Sequence, residues 1–180
     1  MSADETRTLH DILWSGADHL SRRPADEDPQ PAVTVMGALM LTHAALEAYL
    51  NYVGAHIAPE VWADEKTTFT TTPYRGVLGK LNWLCEKLEL EREWGAQPWQ
   101  SLKALDTWRN KLAHGKDGAG REVPPDLLAA CTAQGLAVCR DAVRVVCLGM
   151  HEVLVEMYQM EEDAVRAPFD PAGDDRDRGD

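Results

Sequence analysis

The sequence predicts an all-α protein, an up-and-down bundle of four to five helices. Three observations predict it. Apolar residues recur at helical spacing through most of the chain. The segment from Ala32 to about Ile57 is apolar almost all round, as a helix at the centre of a bundle must be. The one β-branched stretch, "TTFTTTPYRG", has no partner strand elsewhere and reads as an extended loop.

In chain order, Leu9, Ile12, Leu13, Ala17 and Leu20 make "TRTLHDILWSGADHL" a short first helix, broken by "SRRPADEDPQP". The second carries Val35, Met36, Leu39, Met40, Leu46, Leu50 and Val53 and is closed by Pro59. A third runs from about Val77 to Leu90 and a fourth from about Trp99 to His114, with Gly115 as its expected C-cap. After the Gly-rich connection "GKDGAGREVPP", a fifth runs from about Pro125 to Met160. "RAPFDPAGDDRDRGD" holds too little apolar material to fold and reads as a disordered tail. The expected organisation is an N-terminal helix and linker (1–30), a helical bundle (31–160) and an acidic disordered tail (161–180), without internal repeats.

A chain of 180 residues suits one core with tails. Its net charge of -12 lies mostly at the ends, where residues 1–30 carry seven acids against three bases and residues 161–180 carry eight against three. Such a balance opposes non-specific adhesion to nucleic acid but permits a local basic site. Residues 101–121 supply one, with Lys103, Arg109, Lys111, Lys116 and Arg121 against Asp106 and Asp117. Cys85, Cys131, Cys139 and Cys147 have no C-x-x-C spacing and read as reduced core thiols. No secretory signal pattern is visible, and the apolar run "AVTVMGALML" is interrupted by His43 and Glu47, so a soluble, cytoplasmic protein is expected, with no membrane partner.

The chemistry-bearing stretch is "LDTWRNKLAHGK", residues 105–116. At about 100° per residue, Leu102, Leu105, Trp108 and Leu112 form one face, Arg109 borders it, and Asn110 and His114 lie one turn apart on the polar face. A guanidinium can bind phosphate at two points, an imidazole can move protons near neutral pH, and an amide can orient either. Lys111, His114 and Lys116 also suit a helix end for the sake of its dipole, and Asn110 reads equally as a surface amide. With three Asn in 180 residues, composition alone yields Arg-Asn-x-x-x-His about 0.007 times, so the longer pattern carries information that Arg and His alone do not.

His43, Glu47 and Asn51 recur one turn apart on the apolar second helix. The expectation is that Glu47 pairs with Arg109 and Asn51 lines the same cavity; otherwise the stripe marks a solvated side. No metal is expected: His151-Glu152 opens like a zinc-protease helix, but Val155 stands where the second His belongs. No phosphate-binding or dinucleotide glycine loop and no G-x-S-x-G is present, and no cofactor is expected. His10, His19 and His56 read as packing or surface residues. The tryptophans read as packing anchors, with Trp94 or Trp99 also able to stack a base.

Arg109, Asn110 and His114 resemble the signature of the HEPN superfamily of small helical bundles, and "MLTHAALEAYLNYV" is similar to that family's long early helix. The resemblance spans about residues 32–160; its specific part is six residues long. It implies a metal-independent endoribonuclease that acts as a homodimer with the Arg and His of both protomers facing one another, of the kind found as toxins paired with antitoxins and as antiviral defence effectors. The substrate would be RNA, cut through attack by its own 2′-hydroxyl to leave 2′,3′-cyclic phosphate ends. The alternative is a non-catalytic helical module that dimerises or docks a partner, since function lives in the site and not in the fold.

Overall fold

The structure is a computed structural model and describes residues 7–24, 28–114, 131–166 and Phe169. Among those residues the regular structure is all helix, joined by turns and loops, with no strand. The helices are α1 (Leu9–Ser21), α2 (Pro31–Ile57), α3 (Pro59–Ala63), α4 (Glu65–Thr68), α5 (Gly76–Lys87), α6 (Trp99–His114), α7 (Ala133–Tyr158) and α8 (Glu162–Arg166).

Local chemistry sets several of these bounds. Thr8 and Asp11 form a capping box at the start of α1: the Thr8 hydroxyl accepts from the Asp11 amide and the Asp11 carboxylate accepts from the Thr8 amide. Pro31 opens α2, where its missing N–H costs nothing. Thr132 caps α7, and Gln159, in the left-handed region at φ 53°, ends it. The expected Gly115 cap and the start of the fifth helix at Pro125 lie outside the described residues.

The hub is α2, which packs against α1, α3, α5, α6 and α7. By length and composition alone α2 is apolar enough to cross a bilayer, but its apolar side chains are used inside the bundle: Leu39, Leu46, Tyr49, Leu50 and Val53 are buried. Leu81 and Leu84 of α5, Leu102 and Leu105 of α6, and Val143, Cys147, Met150 and Leu154 of α7 complete the core. The four cysteines are free and buried. Burial pushes the thiols up, Cys85 to about 11 and Cys139 to about 12, so these sulfurs are inert core groups.

Two features depart from expectation. After Pro59 the chain continues into α3 and α4, and the buried Trp62 explains the detour: its ring lies on Gly54, where a Cβ would come within 2.1 Å of ring carbon. The expected tail from residue 161 is folded in part. Residues 162–166 form α8, and Phe169 is buried at 1 % exposure, edge-on to Trp14 and Tyr49 at ring separations of 4.9 and 5.2 Å. His10 closes this clasp through a 2.9 Å hydrogen bond from Nε2 to the Ala164 carbonyl. One aromatic ring in the right cavity outweighs the acidity around it, since burying such a side chain contributes about 1.5–3 kcal/mol. Residues 170–180 lie outside the described residues.

Candidate functional site

The polar rim of α6 is built on an anchored helix. Ser101, Leu102 and Leu105 are buried, and Trp108 and Leu112 are half-buried against the core. That apolar face turns Asp106, Asn110 and His114, each one turn apart, onto one neighbouring stripe. Asp106 is half-buried where α6 meets α2; Asn110 and His114 are exposed towards the helix end; Arg109 is half-buried at the border.

Within this stripe a chain of hydrogen bonds runs from the core to the rim. His43 of α2, its side chain 3 % exposed, donates from Nε2 to Asp106 Oδ1 at 3.0 Å. Asp106 Oδ2 accepts from Asn110 Nδ2 at 3.2 Å. Asn110 Oδ1 accepts from Arg109 Nη1 at 3.0 Å. The direction of every bond is forced. A carboxylate only accepts and a guanidinium only donates, so the amide between them can face one way alone, and the imidazole must carry its proton on Nε2.

Of the residues singled out in sequence, Arg109 and Asn110 are thus in contact, and His114 lies on the same face one turn beyond Asn110, on the last turn of α6. Glu47 and Asn51 are elsewhere. Both turn to Lys80 of α5, whose side chain is 3 % exposed: Asn51 Oδ1 accepts from Nζ at 2.8 Å, Glu65 Oε1 at 2.5 Å, and Glu47 Oε1 lies 3.8 Å away. The expected pairing of Glu47 with Arg109 is therefore corrected. The polar stripe of α2 divides between two neighbours, His43 serving α6 while Glu47 and Asn51 serve α5. The cation that takes the carboxylates is the more deeply buried one, for which an unpaired state would cost most.

The residue that sequence reasoning missed is Asp106. It was legible as the acid one turn before Asn110 on the same face, opposite a histidine embedded in an apolar helix. Trp94 and Trp99 sit at the other end of α6, half-buried, with ring centroids 5.4 Å apart and Lys103 Nζ 5.3 Å from the Trp94 centroid. Among the described residues no three His, Cys, Asp or Glu side chains group as a metal site. A cavity of about 430 Å³ opens between the C-terminal end of α1 and the N-terminal ends of α2 and α7, lined by Leu20, Val35, Leu136 and Arg140 among others, and it includes none of Arg109, Asn110 or His114.

No family model, curated protein or solved structure matches the chain.

Proposed function

We propose that the protein is a HEPN-like endoribonuclease that cleaves RNA without a metal, in a site made by Arg109, Asn110 and His114. The observation that carries this reading is the tethered guanidinium of Arg109, held by Asn110 at 3.0 Å on the helix end that also presents the exposed His114. The tether uses one of the five N–H donors of the guanidinium. A cation fixed before the substrate arrives is worth most where negative charge develops.

In the proposed reaction the 2′-hydroxyl oxygen of the RNA attacks the adjacent phosphorus, a neutral imidazole takes the hydroxyl proton, and the bond to the 5′-oxygen breaks. A protonated imidazole gives that oxygen its proton, leaving a 2′,3′-cyclic phosphate and a 5′-hydroxyl. Arg109 neutralises the extra phosphate charge. One chain offers one such imidazole at the site. A two-fold homodimer with both α6 ends in one cleft supplies the second without new sequence, and it doubles the local cations of an otherwise acidic chain. A cytoplasmic toxin or defence effector, with an antitoxin or partner protein to restrain it, is the setting in which such an activity fits.

The test is incubation of the purified protein with total cellular RNA, with and without EDTA, beside His114→Ala. Cleavage that persists in EDTA, leaves cyclic phosphate ends, spares DNA and disappears in the variant is the expected result. Cleavage restored only by a divalent ion, or unaltered in His114→Ala, overturns the reading. The second reading, a non-catalytic docking module, draws support from Leu9 and Ile12, 64 % and 53 % exposed one turn apart on α1. It predicts RNA left intact under every condition and a partner lost on replacing both residues by Ser.

A further inference from the structure

We propose that His43 and Asp106 are positioning residues for Arg109, a brace rooted in the core that fixes the guanidinium through Asn110; the catalytic part of the proposal rests on the ribonuclease reading, the brace does not. His43 and Asp106 alone would suffice to tie α2 to α6. The second oxygen of Asp106 instead continues the chain to Asn110, and the amide then turns its own oxygen to Arg109. The gradient of burial runs the same way, from a side chain 3 % exposed at His43, through 26 % at Asp106, to the exposed Asn110.

Such an arrangement has a consequence for order. Long cationic side chains hold about 2 kcal/mol of rotamer entropy, and a surface asparagine left to itself would turn its amide either way. An acceptor-only carboxylate fixed from the core removes the amide's choice. The amide then presents an acceptor where Arg109 needs one. Asp106 thus acts without touching the reacting phosphate, and its loss should release Arg109 while leaving the apolar face of α6 packed.

Three variants separate this role from simple helix tethering. Asp106→Ala removes both links. His43→Phe keeps ring volume but has no donor; His43→Gln keeps an N–H donor of similar reach. The first readout is the order of the Arg109 Nε–H group by nitrogen relaxation in arginine-labelled protein, with no ligand added. The second is kcat and KM on a defined RNA, and the third is Tm. Asp106→Ala and His43→Phe should mobilise Arg109 and lower kcat by about 10- to 100-fold, with KM changing less, and His43→Gln should restore both. Asp106 is partly exposed, so its variant serves even if His43→Phe does not fold. Arg109 as ordered, and kcat as high, in Asp106→Ala as in the parent, with only Tm lowered, overturns the brace. Parent protein that leaves RNA intact, while Asp106→Ala still mobilises Arg109, upholds the brace and rejects the ribonuclease reading.

Discussion

Lys80 and Arg109 are two cations on neighbouring helices of one bundle, and their surroundings are opposite. The ammonium of Lys80 is enclosed, with Asn51, Glu65 and Glu47 about it and the Phe69 ring 5.8 Å away. Asn51 also accepts from Trp62 Nε1 at 3.3 Å, so the cluster pins α2, α3, α4 and α5 together. Arg109 stands half-buried at a helix end, and its described hydrogen bond goes to an exposed amide. A cation whose donors are all turned inward is part of the fold. One that is fixed at a single point, through a chain of polar groups rooted in the core, is suited to meet something from outside.

The largest effect should come from the enclosed cation. Lys80→Ala should cost about 3 kcal/mol, near the lower end for a broken buried pair because Glu65 and Glu47 can rehydrate. At this chain length that lowers Tm by about 6–12 °C in calorimetry. RNA cleavage per folded molecule should stay at the parent's rate. A stable but inactive Lys80→Ala would erase the distinction between the two cations.

Arg109→Ala is the mirror image. It should lower kcat by about 100- to 1,000-fold, the usual effect of removing one preorganised donor, with the unfolding free energy within about 0.5 kcal/mol of the parent's. Arg109→Lys should recover little, since a point charge cannot reproduce the planar two-point contact with phosphate. Loss of folding with no separate loss of rate would move Arg109 into the same class as Lys80.

Glu47 tests the same contrast more gently. Its carboxylate lies 3.8 Å from Lys80 Nζ and is 36 % exposed, so Glu47→Ala should cost less than about 1 kcal/mol in urea unfolding and leave cleavage unchanged. A drop in kcat would revive the pairing with Arg109 that the sequence suggested.

That suggestion shows where sequence reading stops. The helix α2 was legible because it is apolar almost all round, and periodicity located α5 and α6, the last from Trp99 to His114 as expected, because each has an apolar face. It could not find α3 and α4, which are too short to show a period and are held by Trp62 and Phe69 at the core. Nor could it fold the segment after residue 161, where the decisive group is the single ring of Phe169. At the site, spacing along one helix placed Asn110 and His114 on a common face. Partners across helices depend on relative rotation and height, so the stripe of His43, Glu47 and Asn51 was visible while its division between Asp106 and Lys80 was not.

A third group, the buried His10, extends the comparison to protonation and gives the smallest effect. It is 1 % exposed, its Nε2 donates to the Ala164 carbonyl, and its ring stacks against Phe169 at 6.3 Å. Burial pushes its pKa below the ordinary 6.5, opposed in part by the Ala164 carbonyl and by the charge of Asp11. Between the lowered value and 6.5 the unfolded chain therefore binds more protons than the folded one. Stability should fall as pH drops through 6.5 and cease to fall on this account once pH is below the folded value. Most carboxylates titrate below about pH 5, so urea unfolding at about pH 7.5 and 5.5 isolates the histidine window. His10→Gln keeps a donor for Ala164 but cannot take the proton, and it should lose less stability between the two conditions than the parent does. The protection factors of the α8 amides, which divide out the intrinsic slowing of exchange by acid, should fall between the two conditions in the parent and not in His10→Gln, because charging the buried ring weakens the clasp that holds α8. Equal losses in the two proteins would remove His10 from the pH response and leave its role to packing alone.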